Sequence, residues 1–76
     1  MLKTLGNSIK QYRNNLKVSQ EELGALSGLD RTYISGIERG IRNPSFTALV
    51  ILAEALQLTM AELFYGIEEK MDENGK

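Results

Sequence analysis

Apolar residues recur at three- and four-residue spacing along most of the chain. Near the N-terminus Leu5, Ile9, Tyr12 and Leu16 follow this spacing, which is typical of one face of an amphipathic helix. No segment alternates apolar and polar residues over a useful length, so we expect no β-sheet. The pattern predicts a small all-α domain.

Helix-capping residues divide the rest of the pattern into further helices. Ser19 and Glu22 have the spacing of a capping box, and Gly28 follows as a residue suited to a left-handed helix stop. Asp30 can then cap a third helix over about residues 31–39. These signals predict two short helices joined by a turn of a few residues.

The second half of the chain continues in the same way. Ser45 can cap a fourth helix, and Thr59 with Glu62 forms a second capping box. This box predicts a fifth helix over about 60–70. We therefore expect a single five-helix domain over residues 1–70, followed by a frayed polar tail over residues 71–76.

The stretch from Gln20 to Arg39 has the layout of a helix-turn-helix. Leu29 can bury the turn, while Ile34 and Ile37 can anchor the second helix of the pair along one side. The other side carries groups that can read base edges and hold phosphates. They are Arg31, Thr32, Ser35, Gly36 and Arg39, with Tyr33 at the edge. The spacing favours a DNA-binding helix-turn-helix over an ordinary helical hairpin with a solvated polar face.

Charge supports this interpretation only after the chain is divided. The net charge of the 76 residues is −1, which by itself argues mildly against nucleic acid. Residues 1–44, however, carry a net charge of +3, and residues 45–76 carry −4. A DNA-facing half and a solvent-facing half would produce this asymmetry, and so would ordinary surface charge.

Composition excludes several kinds of site. The chain contains neither cysteine nor histidine, so we expect no disulfide and no metal site, and no catalytic Cys or His. There is no glycine-rich phosphate loop and no apolar run of the roughly 18 residues that a membrane span needs. We expect a soluble cytoplasmic protein that is not an enzyme and has no cofactor, no small-molecule ligand and no membrane contact.

Three motifs resemble the phage-repressor and Cro-like (XRE-type) helix-turn-helix family. They are SQEEL at residues 19–23, ISGIERG at 34–40 and NPS at 43–45. The resemblance covers about residues 3–66. It implies a compact, lambda-repressor-like five-helix fold whose third helix enters the major groove. Two positions depart from the family pattern: Lys17 stands where a glycine often ends the first helix, and Gly24 replaces a usual alanine.

A narrower resemblance lies in DRTYISGIER at residues 30–39, followed by Arg42 and Asn43. This string is similar to the controller proteins of restriction–modification systems. That resemblance implies a homodimeric regulator that binds palindromic operators upstream of its own gene and the endonuclease gene. Such a regulator activates or represses according to how many dimers are bound. Because other members of the wider family use close variants, a phage- or plasmid-type repressor and an antitoxin-like protein–protein module remain alternatives.

The resemblance also assigns roles to individual residues. It implies base-edge or groove contacts from Arg31, Thr32 and Ser35. It places a second set at or near phosphates: Gln20, Tyr33, Arg39, Arg42 and Asn43. Gln20 suits that role because it lies in the first turn of a helix, whose free amides attract a phosphate.

Three further assignments concern packing. The family resemblance implies that Arg13 and Glu38 form a partly buried ion pair between the first and third helices. Gly36 lies mid-helix, where glycine costs about 1 kcal/mol, and it indicates either close approach to DNA or tight packing. In the last helix Leu63 is assigned to the core. The excess of apolar residues predicts an isologous dimer interface, formed by Phe64, Tyr65 and Ile67.

Overall fold

The structure, a computed structural model, describes residues 2–65 and contains five helices. They are α1 (Leu2–Asn15), α2 (Gln20–Ser27), α3 (Arg31–Glu38), α4 (Phe46–Ala55) and α5 (residues 60–65). The described part of the chain contains no strand, so the predicted all-α, five-helix fold is confirmed. The rest of the predicted fifth helix, including Ile67, and the tail over 71–76 lie outside the described residues. Within residues 2–65, no helix is long and apolar enough to cross a membrane.

The predicted caps begin the helices where the sequence places them. The Ser19 hydroxyl accepts from the Glu22 amide at 3.0 Å, and the Ser19 amide donates to the Glu22 carboxylate at 2.7 Å. Thr59 and Glu62 form the same reciprocal pair at 3.0 and 2.8 Å. The Ser45 hydroxyl accepts from the Ala48 amide at 3.1 Å. Each cap satisfies amides that have no partner within their own helix.

A single apolar core connects all five helices. Its central side chains are almost completely buried, and each helix contributes at least one of them: Ile9, Leu23, Ile34, Ile37, Leu52 and Leu63. Leu63 belongs to this core, in agreement with its predicted role. Because every helix packs one apolar face inward, the opposite face of each remains available to solvent or a partner.

Gly6 allows α1 and α3 to cross with their backbones in contact. A Cβ atom at this position would lie 2.6 Å from the Glu38 carbonyl oxygen and still closer to that of Ile37. No side chain fits in that space, and the obstructing atoms are backbone, which cannot move aside cheaply. The close crossing fixes the buried side of α3 against α1 and leaves its other side exposed.

Candidate nucleic-acid interface

The helix-turn-helix consists of α2, a short turn and α3. Gly28 ends α2 with φ +76°, and its amide donates to the Gly24 carbonyl at 2.8 Å. The turn then leads to Asp30, whose carboxylate accepts from the Thr32 amide at 2.9 Å and so begins α3. A Cβ atom added to Gly24 would lie 3.0 Å from the Leu29 carbonyl oxygen. Both glycines therefore serve the turn, one through its backbone angle and one through its size.

Arg13 and Glu38 lie together beneath this unit. The Arg13 Nε and Nη2 groups donate to the two carboxylate oxygens of Glu38 at 2.7 and 3.0 Å, a bidentate arrangement. Both side chains are about nine-tenths or more buried. Arg13 Nη1 also donates to the Val18 carbonyl at 2.9 Å. One buried pair thus links α1, the junction before α2, and the end of α3.

The ion pair perturbs the titration of the guanidinium. Hydrogen bonding to Glu38, aided by the attraction of its charge, raises the pKa of Arg13 above its ordinary value, although burial works in the opposite direction. Because the folded-state pKa is the higher one, the pair's stabilisation is present throughout the neutral range. This contribution of the guanidinium is lost as the pH rises through that raised pKa.

Gln20 connects the buried pair to the exposed start of α3. Its Nε2 group donates to a Glu38 carboxylate oxygen at 3.0 Å. Its Oε1 atom accepts from Arg31 Nη1 at a long 3.5 Å. The side chain predicted to lie at a phosphate is thus engaged with two other groups, and it borders a shallow polar cleft beside Arg13 and Arg31.

The outer side of α3 presents most of the predicted polar residues. Arg31 and Thr32 are exposed in its first turn, Ser35 is half-buried one turn later, and Arg39 is exposed at the C-cap. Gly36 is the exception, because it is buried. The expectation that Gly36 belongs to the open outer side is wrong: the side chain of Arg42 covers it.

The loop after α3 folds back towards the same surface. The Arg42 guanidinium lies 5.1 Å from the centroid of the Tyr33 ring, a cation–π distance. The Tyr33 hydroxyl accepts from the Ser45 amide at 3.3 Å, at the N-terminus of α4. Asn43 is exposed between them in sequence. The structure therefore places Tyr33 and Arg42 in one assembly, which the sequence treats as two separate positions.

Three arginines of this surface form no ion pair with any of residues 2–65. Among residues 2–65 the only ion pair joins Arg13 to Glu38, so Arg31, Arg39 and Arg42 have no carboxylate partner there. No group of acidic residues in the same range could hold a metal ion. A surface of exposed guanidinium and hydroxyl groups around a helix is suited to phosphates and guanine edges.

Among the contacts of this surface that sequence reasoning missed are two at the N-termini of helices. The Ser45 amide anchors Tyr33, and the Gln20 side chain reaches Arg31. The only available signal for the second was that Gln20 and Arg31 each open a helix of the pair. No comparable signal exists for the first, because a hydroxyl can reach any nearby amide.

Two of the predicted dimer residues, Phe64 and Tyr65, lie on α5, and Ile67 lies outside the described residues. Phe64 and Tyr65 are 39% and 62% exposed, whereas Leu63, which directly precedes them, is fully buried. Tyr65 also lines an apolar groove with Tyr12 and Leu58. Tyr12 itself donates to the Glu62 carbonyl at 3.0 Å, so this groove joins α1 and α5.

Comparisons with known proteins agree with this geometry. The Helix-turn-helix family model matches residues 9–63. The control protein C.SmaI of Serratia marcescens is 44% identical over 59 residues, 78% of this chain and 70% of the relative. The control protein C.MunI of a Mycoplasma species is 42% identical over 66 residues, covering 86% and 89% of the two chains.

Solved structures place the chain in the same group. The restriction-modification controller protein C.AhdI from Aeromonas hydrophila matches with a TM-score of 0.80 and 44% identity, over 82% of this chain and 94% of that one. C.Esp1396I bound to a 19-base-pair DNA duplex matches with a TM-score of 0.86 and 34% identity, over 92% and 93%. The four proteins named above are control or controller proteins, and the chain itself belongs to the helix-turn-helix family.

Proposed function

We propose that this chain is a sequence-specific, double-stranded-DNA-binding transcriptional regulator of the restriction–modification controller type. It acts as a homodimer on palindromic operators. The observation that carries the proposal is the outer side of α3, where Arg31, Thr32 and Ser35 lie beside two further arginines that have no carboxylate partner among residues 2–65. Regulators of this family are not enzymes, and binding to chromosomal or plasmid DNA would place the protein in the cytoplasm.

Relatives support both the ligand and the stoichiometry. C.Esp1396I has been solved on a 19-base-pair duplex, and as a tetramer in complex with its natural 35-base-pair operator. The same arrangement here would put two dimers on one operator. The two-fold symmetry of each dimer predicts a palindromic site with half-sites about one helical turn apart.

The individual roles follow from position and chemistry. Arg31 can fork onto guanine O6 and N7, and Thr32 can meet a thymine methyl or a base-edge donor. Ser35 lies one turn further along the same side. Arg39, Arg42 and Asn43 lie where α3 ends and can hold phosphates. Gln20 and Tyr33 can also contact a phosphate, either in addition to the contacts described above or in exchange for them.

Selection of binding sites from random duplex DNA tests the proposal. We expect an enriched palindrome, bound by two or four chains as determined by mass. Arg31→Ala should weaken binding about tenfold to a hundredfold and relax the preference at one base pair per half-site. Lys10→Ala removes the same charge from an exposed position of α1 and should have little effect.

The salt dependence separates this function from protein–protein interaction. Affinity should fall steeply with salt, because each neutralised phosphate releases counterions. If no sequence is enriched at moderate salt, DNA-binding regulation is excluded and the antitoxin-like module takes its place. Equal losses in the Arg31→Ala and Lys10→Ala variants would remove Arg31 from the reading surface.

A further inference from the structure

Gly36 occupies the middle of α3, where a glycine costs about 1 kcal/mol relative to alanine. It is buried, although it lies on the turn of the helix next to the exposed residues Arg31 and Thr32. A buried glycine in a helix of eight residues calls for a specific neighbour that an alanine would displace.

That neighbour is the side chain of Arg42. A Cβ atom at residue 36 would lie 3.0 Å from the Arg42 Cβ atom and 3.2 Å from its Cγ atom. Carbon atoms at their optimal separation are about 3.5–4.0 Å apart. The Gly36 carbonyl in addition accepts from the amides of Ile41 and Arg42, at 3.0 and 3.2 Å. Both the backbone and the aliphatic stem of Arg42 are therefore held against Gly36.

The path of the aliphatic stem of Arg42 decides where its guanidinium group lies. From Gly36 it brings the guanidinium to 5.1 Å from the Tyr33 ring centroid, one turn earlier on α3. The ring is itself held, since its hydroxyl accepts from the Ser45 amide. A cation–π contact of this kind uses none of the N–H donors of the guanidinium. The donors can therefore bind a phosphate while the guanidinium stays over the ring.

We propose that Gly36 is a positioning residue for Arg42: its missing side chain lets the arginine stem lie across α3, so that the guanidinium lies over the Tyr33 ring and its N–H donors can bind a DNA phosphate. The phosphate contact rests on the proposed function. The packing of the Arg42 side chain against Gly36 and Tyr33, called the Arg42 seat below, does not. Gly36 thereby acts through Arg42 and does not touch DNA, because the arginine stem covers it.

The first test concerns the seat alone and needs no DNA. The ring current of Tyr33 should shift the NMR signals of the Arg42 side-chain protons upfield in the wild-type protein, and Tyr33→Leu should abolish the shift. Gly36→Ala should reduce it, with an unchanged or higher melting temperature because alanine favours a helix. An undiminished shift in Gly36→Ala would overturn the proposal.

The second test is a double-mutant cycle in DNA affinity. Gly36→Ala should weaken binding by about threefold to tenfold, similarly for all sequences, and lower the salt slope towards that of Arg42→Ala. In the Arg42→Ala background it should have no further effect. In the Arg39→Ala background, which removes an equal charge at the end of the same helix, its full effect should persist.

The outcomes are distinct for the seat and for the function. If no duplex is bound by the wild type, the proposed function fails, and the NMR measurement alone decides whether Gly36 seats Arg42. An equal loss from Gly36→Ala with and without Arg42 would overturn the positioning role, since it would show direct contact with DNA. A lost ring-current shift with unchanged affinity would overturn it as well.

Discussion

Glu38 combines three contacts that join separate parts of the helix-turn-helix. Its carboxylate accepts two hydrogen bonds from Arg13 and a third from Gln20. The residue is 6% exposed, so the carboxylate has little access to solvent and depends on these donors. Removing one member of a buried ion pair leaves the other charge uncompensated, which costs about 3–5 kcal/mol.

Glu38→Gln should therefore lower both stability and DNA affinity. We expect thermal unfolding to shift to clearly lower temperature, because an uncompensated guanidinium remains between α1 and α3. Affinity should fall too, since Gln20 loses a charged partner beside Arg31. Glu54→Gln removes the same charge from an exposed position of α4 and should leave both quantities nearly unchanged. Lost affinity at an unchanged melting temperature would contradict the structural role of Glu38.

At the scale of elements, α1 and α4 end in the same unusual way. Lys17 and Gln57 follow these helices with φ angles of +62° and +63°, in the left-handed region that favours glycine. The amides of Val18 and Leu58 donate back to the carbonyls of Arg13 and Ala53, at 3.3 and 2.8 Å. A capping box follows each of these turns. The chain thus uses the same kind of turn between helices twice, once between α1 and α2 and once between α4 and α5.

Lys17→Gly should stabilise the protein by about 0.5–1 kcal/mol, because a non-glycine residue pays for the left-handed conformation. Lys10→Gly removes the same charge within α1 and should destabilise by about 1 kcal/mol, since glycine weakens a helix interior. Chemical denaturation of the two variants measures these opposite signs directly. If both variants are destabilised, the left-handed backbone at Lys17 carries no strain that glycine can relieve.

At the scale of the whole molecule, the exposed arginines lie on α3 and the loop after it, whereas the exposed aromatic residues Phe64 and Tyr65 lie on α5. Residues 1–44 hold the excess of positive charge, and residues 45–76 hold the excess of negative charge. A regulator that pairs two copies needs such a division, because the surface that joins the copies must leave both groove-facing helices accessible. We propose that the exposed side chains of Phe64 and Tyr65 supply apolar area for that contact.

Phe64→Asp should convert the dimer into a monomer. We expect a two-chain mass for the wild type at tens of micromolar, and a one-chain mass for the variant, because a charge replaces apolar area at an isologous contact and so enters it twice. Phe46→Asp alters another exposed phenylalanine, at the start of α4, and should leave the mass unchanged. A wild type that is monomeric at this concentration would rule out the α5 interface.

The sequence by itself determined the number of helices, where the helix-turn-helix lies, and the start of most helices. Ser19, Asp30, Ser45 and Thr59 act on amides two or three residues away, so their effect can be read from local order. The apolar spacing determined which sides are buried, because a helix has a fixed period. For the same reason the outer side of α3 was predicted with one exception, Gly36.

The tertiary structure alone decided how the polar residues of that surface combine. Some of these contacts join residues that are far apart in sequence, such as Gln20 with Glu38. Others form only because a loop folds back, such as Arg42 with Tyr33. The same holds in the core, where Gly6 meets the backbone of α3. Periodicity fixes the direction of a side chain about its own helix. It does not fix the distance between two elements. Differences of a few ångströms in that distance decide whether a glycine is needed for a turn, for a helix crossing or for the packing of an arginine side chain.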